Sequence, residues 1–292
     1  MKFFLITSTR PTNQGVVELL LAAASAKNIE VVRIDSDCQL LADMDSYESR
    51  STDIVYREAL GEKARAIEAG FLYRPASHRP SGMRRPSQNI ELTFPWSPLL
   101  RYQQLGIPAI PTILLDGVFV EQSDDEIARR VQTIGGFPVI LKQVGLSHGA
   151  GVQKIDSMRQ LRDVLRTVDG RDIQKYALRQ YLAVYRHARL VVLDGRVIDS
   201  IEYIVPEDDF RTNAGTVSVV PQKFDVEVEK AAIDTVNSLA AVMGGVDILI
   251  DVATQTPYVA ECNSPCNFWR NQNTTGVPIA EKIIEYLAGD RT

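Results

Sequence analysis

The sequence contains few of the residues that build disulfide-rich or metal-rich proteins. Its 292 residues include three cysteines and three histidines. An odd number of cysteines supplies no paired framework, so we expect reduced thiols and a location in the cytoplasm. Cys262 and Cys266 suggest zinc as an alternative, but a zinc site needs two further ligands. No recognised ligand spacing relates these cysteines to His78, His148 or His187.

The chain also has no basic excess and no long apolar run. Its formal net charge is −5, whereas a general affinity for nucleic acid needs a basic surface that displaces counterions. No apolar run approaches the roughly 20 residues that span a bilayer, and the first residues lack the longer apolar region and cleavage site of a signal peptide. We therefore expect no nucleic acid and no membrane among its partners. Small-molecule or peptide substrates fit this composition better, and the sequence leaves a homo-oligomer open.

The N-terminal part alternates between short apolar strands and a helix. Apolar residues dominate positions 3–6 and 29–34, and helical periodicity covers positions 16–26. This pattern predicts a βα unit that returns to a parallel strand, and two more short strands are predicted at 53–57 and 70–74. Because no glycine stands between the first strand and Gly15, a dinucleotide site is not expected there.

A proline-rich stretch from Pro75 to Ser97 predicts a long exposed loop. It carries Arg79, Arg84 and Arg85. A solvated surface is one interpretation of these charges. The other is a basic lip that guides an acidic substrate into a cleft.

The rest of the chain predicts helices mixed with antiparallel strands. The turn Asp194-Gly195 between two apolar runs is a hairpin signal within positions 176–205. Helices are predicted at 97–106, 124–134, 157–167 and 228–243, and strands at 138–143, 246–252 and 257–262. With 45% hydrophobic residues, the chain is expected to form two or three compact lobes.

Side chains with oxygen atoms stand on the last two predicted strands. Asp247 lies on the first of them, and Glu261 and Asn263 lie on the second. Because side chains alternate along a strand, Glu261 and Asn263 face one side while Cys262 faces the other. Two carboxylates and an amide that open toward a cleft match the oxygen ligands of magnesium. A solvent-facing acidic hairpin is the alternative interpretation.

Lys142 ends a predicted buried strand, and the residues after it, 145–152, have little side-chain bulk. A lysine in this position can neutralise phosphate charge, and the backbone N–H groups of such a loop can wrap phosphate oxygens. A plain connecting loop is equally compatible with the pattern.

The strand from Tyr176 to Tyr181 is a candidate hinge between two lobes. Its backbone and Gln180 are candidates for adenine contacts, and an ordinary sheet strand is the alternative. Arg189 and Arg211 can each clamp a phosphate or a carboxylate with two parallel hydrogen bonds. Solvated surface arginines are the other interpretation.

Five stretches, in their order along the chain, resemble the ATP-grasp superfamily and in detail its branch of RimK-like glutamate ligases and LysX-type amino-group carrier ligases. They are Gly136 to Val152, Arg189 to Val197, Asp209 to Asn213, Gly244 to Asp251 and Tyr258 to Leu287. The last is the most specific, because Glu261-Cys262-Asn263 followed by Thr274-Thr275-Gly276 is similar to that branch's acidic-x-Asn and Thr-Thr-Gly motifs. The resemblance implies an α/β protein with the ATP-grasp fold. In it, residues 1–100 form a Rossmann-like parallel-sheet domain, residues 101–177 a central lobe with the phosphate loop, and residues 178–292 a C-terminal lobe with the metal site.

The same resemblance implies an ADP-forming ligase that makes an amide bond through an acyl phosphate, with ATP and Mg²⁺, or Mn²⁺, as cofactors. It assigns catalysis to Lys142 and Arg211, and metal binding to Asp247, Glu261 and Asn263. It assigns nucleotide binding to Lys142, Ser147, Gly149, Gly151, Gln180, Tyr181, Leu182, Arg189, Arg211 and Asn213.

The chain departs from the family pattern at several positions. No lysine opens the helix before Gly106, His187 replaces the acidic residue of the usual Asp-x-Arg, and Tyr203-Ile204 replaces an arginine pair. The usual glycine-rich turn after Asn213 is shortened as well. Two alternatives to the ligase therefore stay open: a nucleotide-binding protein without catalysis, and an ATP-dependent kinase on the same fold.

Overall fold

The computed structural model describes residues 1–9, 13–38, 47–48, 50, 52–59, 61–72, 97–143, 151–183, 185–204 and 218–289. These residues form one parallel and two antiparallel sheets with helices packed against them, which confirms the expected α/β class. Within these ranges no helix is both long enough and apolar enough to cross a membrane. The loop predicted from Pro75 lies outside the described residues, and a helix begins at Ser97.

The N-terminal sheet is parallel and has the strand order β2-β1-β3. Its elements are β1 (Lys2–Thr7), α1 (Gln14–Ala26), β2 (Glu30–Asp35), β3 (Ile54–Arg57) and α2 (Glu62–Leu72). The predicted strand–helix–strand unit and the strand at 53–57 are therefore confirmed.

The strand predicted at 70–74 is wrong. Residues 70–72 are the last turn of α2, and residues 73–74 lie outside the described ranges. Ala64, Ile67 and Phe71 are buried, and their spacing of three and four residues is that of one helix face. The apolar run was the end of this face and not a strand.

The central sheet is antiparallel and has the strand order β4-β7-β5-β6. Helix α3 (Ser97–Gln104) precedes this sheet and packs through Tyr102 into the core of the C-terminal sheet. The elements of the central sheet are β4 (Thr112–Leu114), α4 (Gly117–Glu121), α5 (Asp124–Gln132), β5 (Val139–Gln143), β6 (Val152–Ile155), α6 (Met158–Leu165) and β7 (Tyr176–Gln180). Ser123 and Glu126 form a capping box that fixes the start of α5.

The C-terminal sheet is antiparallel and has the strand order β10-β9-β8-β11-β12. Its elements are β8 (Tyr185–Leu193), β9 (Arg196–Tyr203), β10 (Val219–Pro221), α7 (Val226–Ser238), β11 (Met243–Asp251), β12 (Pro257–Asn263), α8 (Trp269–Thr275) and α9 (Ile279–Ala288). Asp194 and Gly195 both have positive φ, as a two-residue hairpin turn requires, so the predicted hairpin is confirmed.

Two boundaries in this part differ from the sequence-based prediction. The helix predicted to reach Met243 ends at Ser238, because Ala240 has a φ of 49° and β11 already begins at Met243. No helix was predicted for the residues from Trp269 to Asn273, which lie in α8. Their polar composition gave no apolar period by which to find a helix.

The N-terminal and C-terminal sheets share a hydrophobic core. Phe3 and Leu20 from the first pack in one cluster with Val191, Met243 and Ile283 from the second. Helix α9 packs against α1, so the last described helix contacts the first one. The division of the chain after residues 100 and 177 stays a prediction.

Candidate functional site

The C-terminal sheet has one apolar face and one polar face. Ala188, Leu190, Val246 and Ile248 point toward α7 and form a core with it. Side chains alternate along a strand, so the intervening residues of β8 and β11 face the other way. That other face carries the candidate site.

Asp247 is the centre of a buried polar cluster. Arg189 Nη1 donates to its Oδ2 at 2.6 Å, and His187 Nε2 lies 3.2 Å from its Oδ1. Burial disfavours the charged carboxyl, but Arg189 and His187 outweigh this and hold the pKa of Asp247 below its usual value. The aspartate is therefore ionised at neutral pH.

Glu261 and Asn263 lie on β12, beside Asp247 of β11. Asp247 pairs with Glu261 and Gly245 with Asn263 in the register of the two strands. With the Asn263 amide oriented to satisfy both its groups, its nitrogen donates to Glu261 Oε1 at 2.8 Å and its oxygen accepts from Arg189 Nη1 at 3.1 Å. The structure thus brings together the three residues predicted to bind metal, and their role as ligands stays a prediction.

Lys142 reaches this cluster from the central sheet. Its Nζ lies 2.9 Å from Glu261 Oε2, with the lysine about one quarter and the glutamate about one half exposed. Lys142 pairs with Ala177, and Ile140 with Arg179, across β5 and β7. These four side chains therefore share the face of the central sheet that Lys142 presents to Glu261.

Arg179 is a part of the site that the sequence prediction missed. It is 6% exposed, and burial lowers its pKa to about 10 although the charge of Glu261 acts in the opposite direction. Its Nη1 donates to the carbonyl of Ala260 at 3.2 Å. The only signal in the sequence was a charged residue in the middle of the predicted hinge strand.

The residues predicted to bind adenine lie at the end of β7 and directly after it. The Gln180 backbone N–H donates to the carbonyl of Pro111 at 2.9 Å, Lys154 Nζ stands 4.7 Å from the centre of the Tyr181 ring, and Leu182 is buried. Adenine contacts at Gln180, Tyr181 and Leu182 stay a prediction.

Gly151 stands just before β6. Its carbonyl accepts from the backbone N–H of Gln143 at 2.8 Å, and its φ of 70° lies in the left-handed region. The other predicted nucleotide ligands, Ser147, Gly149, Arg211 and Asn213, lie outside the described residues, as do Arg79, Arg84 and Arg85.

The zinc alternative gains no support from the described part of the chain. It contains no group of three or more histidine, cysteine, aspartate and glutamate side chains arranged to hold a metal ion. Burial raises the pKa of Cys262 to about 12 and also raises that of Cys266, so both are protonated thiols. Zinc binds the thiolate form.

The residues present fit magnesium and a nucleotide. Glu261, Asn263 and Asp247 carry oxygen atoms, which are the donors that Mg²⁺ takes. Lys142 beside Glu261 carries a positive charge of the kind that can neutralise phosphate. Arg189 Nε is buried with no acceptor among the described residues. Spare positive donors beside carboxylates suit an anionic ligand together with a cation.

Known proteins resemble this chain in sequence and in fold. The sequence model of the RimK-like ATP-grasp domain matches residues 103–287. A Klebsiella pneumoniae (strain 342) protein named "Probable alpha-L-glutamate ligase" is 29% identical over 177 residues, which cover 59% of this chain and 58% of that protein. The ribosomal protein bS6–L-glutamate ligase of Escherichia coli O139:H28 is 28% identical over 177 residues. The aligned part spans 56% of that ligase, so less than two thirds of either relative's length is matched.

Solved structures of low sequence identity share this fold. The ATP-grasp ligase PsnB complexed with a minimal precursor has a TM-score of 0.73 at 16% identity, covering 100% of this chain and 99% of PsnB. D-alanine–D-alanine ligase from Bacillus anthracis has a TM-score of 0.71 at 14% identity, covering 99% and 96% of the two chains. Similarity at this identity establishes the ATP-grasp fold, and the sequence match at residues 103–287 establishes the family. The chain belongs to the RimK-like ATP-grasp family.

Proposed function

We propose that this protein is an ATP-dependent ligase that joins a carboxylate to an amine and releases ADP and phosphate. The observation that carries the proposal is the contact between Lys142 and Glu261 at 2.9 Å, with Asp247 and Asn263 beside Glu261. A cation that could bind phosphate and three side chains with oxygen donors for a metal are then close together. Enzymes of phosphoryl transfer use such groups, because the protein chiefly positions the reactants and neutralises the phosphate charge.

Each side chain has a role in this proposal. Glu261 and Asn263 orient the metal, and Arg189 and His187 hold Asp247 ionised beside them. Lys142 leaves Glu261 for a phosphate oxygen when the nucleotide binds. When bound, ATP would supply the phosphoryl group that activates a substrate carboxylate, and magnesium would offset the phosphate charge. An amine would then displace phosphate from the activated acyl group.

We further propose that the substrate is an amino acid or a peptide. The names of the relatives support this class, since two are L-glutamate ligases and one of those acts on ribosomal protein bS6. PsnB is complexed with a precursor peptide. The free thiols Cys38, Cys262 and Cys266 support a reducing compartment such as the cytoplasm.

One observation favours nucleotide binding without turnover as a second candidate. Both oxygens of Asp247 are already engaged, one by Arg189 and one by His187. A metal at this carboxylate must compete with those partners. If the metal cannot displace those partners, Glu261 and Asn263 alone would bind the metal more weakly. ATP would then bind without reacting.

An ADP-release assay over pools of amino acids and peptides, with mass analysis of the products, tests the proposal. The ligase releases ADP only when an acid and an amine are both present, and the product has the summed mass of the acid and the amine less one water. Glu261→Gln keeps the shape of the side chain and should abolish turnover, while Glu281→Gln on α9 should not. A phosphorylated product that needs no amine would establish the kinase, and tight magnesium–ATP binding with no turnover in any pool would establish the second candidate.

A further inference from the structure

Strand β12 bulges immediately before Glu261. Asp247 pairs with Glu261 and the next residue, Ile248, pairs with Val259, so Ala260 is an extra residue in the strand. A bulge bends its strand, increases the local twist and re-aims the neighbouring side chain. The direction of the Glu261 carboxylate therefore depends on what holds Ala260.

Arg179 of the central sheet holds Ala260. Its Nη1 donates to the Ala260 carbonyl at 3.2 Å, and its Nε donates to Thr112 Oγ1 at 3.3 Å. The hydroxyl of Thr112 donates its own hydrogen to the carbonyl of Ile110 at 2.7 Å, which leaves lone pairs to accept from the arginine. The two bonds fix the plane of the guanidinium, because its donors form a rigid fork.

The residue before the bulge is held as well. The backbone N–H of Val259 donates to the carbonyl of Pro108 at 2.8 Å, and its carbonyl accepts from the N–H of Ile110 at 3.3 Å. Ile110 also accepts from Thr112. The segment leading into the central sheet and Arg179 thus form one continuous clamp on β12.

The charge of Arg179 is not explained by an ion pair. Among the described residues, the buried arginine Arg57 pairs with Glu68 and Arg189 pairs with Asp247, but no carboxylate pairs with Arg179. Its Nη2 is buried and has no acceptor in that same set. A buried guanidinium without a direct ion-pair contact is costly, and an apolar side chain would fill this place at lower cost. What the arginine provides is directed hydrogen bonds to the bulge.

We propose that Arg179 is a positioning residue that aims Glu261 at the metal by holding the carbonyl of Ala260. This inference rests on the proposed role of Glu261 as a metal ligand. Lys142 contacts the carboxylate itself, whereas Arg179 contacts the backbone one residue earlier. When phosphate draws Lys142 away, Arg179 keeps the carboxylate in place.

Binding of Mn²⁺ in the presence of a non-hydrolysable ATP analogue, followed by electron paramagnetic resonance, tests this role without turnover. Arg179→Gln should lower the Mn²⁺ affinity by about 10- to 100-fold, the effect of removing a group that orients a metal ligand. Arg179→Lys should recover part of the Mn²⁺ affinity, because an ammonium can donate to the Ala260 carbonyl. It lacks the forked donors of a guanidinium and so cannot also donate to Thr112 in the same geometry.

The matched control is Arg186→Gln, which removes a different arginine from its bonds to Glu202 in the C-terminal sheet. This change should lower the thermal midpoint and leave the Mn²⁺ affinity unchanged. Folded Arg179→Gln protein with wild-type Mn²⁺ affinity would overturn the inference, and so would an equal loss in the control.

A second variant keeps the test decisive if Arg179→Gln does not fold. Thr112→Val removes the acceptor of Arg179 Nε and should weaken Mn²⁺ binding in the same direction by a smaller factor. An unchanged affinity in folded Thr112→Val protein would then refute the positioning role. Wild-type protein that binds Mn²⁺ with the analogue but never turns over ATP would refute the ligase and leave the positioning role of Arg179 standing. Wild-type protein that binds no Mn²⁺ would refute the positioning role.

Discussion

The ammonium of Lys142 and the carboxylate of Glu261 lie 2.9 Å apart and connect the central sheet to the C-terminal sheet across 119 residues of chain. The pair joins the residue expected to bind phosphate to a residue expected to bind metal. Both partners are partly exposed, so their attraction is screened by water and contributes little to folding. The pair is better explained by function than by stability.

Lys142→Gln should therefore weaken nucleotide binding without unfolding the protein. Loss of a charged hydrogen bond to phosphate, about 1.5–3 kcal/mol, corresponds to an increase of about 10- to 100-fold in the KM for ATP. The thermal midpoint should change by little, because an exposed pair contributes about 1 kcal/mol or less. Steady-state kinetics and calorimetry measure the two effects.

Lys230→Gln is the control for that variant, since Lys230 pairs with Asp234 on the exposed face of α7. It should leave the KM for ATP unchanged. An unchanged KM in Lys142→Gln would remove the lysine from the nucleotide site.

Asp247 should link the stability of the fold to acid. Its folded pKa is depressed by Arg189 and His187 against the opposing effect of burial, so the stabilisation is complete above the ordinary aspartate value of about 3.9. It is lost as the pH falls below that value and through the lower folded pKa. The thermal midpoint, measured between pH 7 and pH 2, should decrease as the pH falls below that value.

Asp247→Asn should be less stable than wild type at neutral pH by about 3–5 kcal/mol, because Arg189 would remain buried without its partner. The difference between the two proteins should shrink as the pH falls below 3.9, the ordinary aspartate value. A difference that stays constant down to pH 2 would show that the pair does not set the acid stability.

Gly245 should not tolerate a side chain. A Cβ built there would lie 2.4 Å from Cys266 Sγ and 2.5 Å from Arg189 Nη2, and overpacking of this kind costs about 1–3 kcal/mol. Gly245→Ala should lower the free energy of unfolding, measured by denaturant titration, by that amount. Gly117→Ala is the matched control, since nothing lies within 4 Å of its Cβ, and it should leave stability equal or slightly higher.

The three thiols should differ in reactivity. Cys38 is exposed, whereas Cys266 is buried and the pKa of Cys262 is raised to about 12 by burial. A disulfide reagent at pH 8 reacts with thiolate, so the native protein should react rapidly at one thiol and the denatured protein at three. Rapid reaction of all three in native protein would contradict the packing around β11 and β12.

The grouping of Asp247, Glu261 and Asn263 was predictable because it depends on two strands that are close in the sequence. Alternation along a strand placed Glu261 and Asn263 on one side, and the register of β11 and β12 brings both beside Asp247. The bulge at Ala260 was not predictable, because no glycine or proline marks it. Arg179 was missed for a related reason: its burial depends on residues 108–112 folding against β12, a contact between segments far apart in the sequence.

The fold was predictable where apolar residues repeat at a clear period. Strands β1, β5 and β11 followed from such runs. Helix α8 did not, because its only buried residue is Asn271, which donates to Asp199 at 3.0 Å. That helix is held by a polar contact with β9 and not by an apolar face.

The most direct test of the ligase is the fate of a carboxylate oxygen. Once the screen has identified the acid and the amine, the acid is labelled with ¹⁸O in its carboxylate, and the phosphate released during turnover is analysed by mass spectrometry. A carboxylate that attacks the γ-phosphoryl group and is then displaced by an amine leaves one of its oxygens in the phosphate, so the account predicts one ¹⁸O per phosphate. Unlabelled phosphate released together with amide product would contradict activation of the carboxylate by ATP.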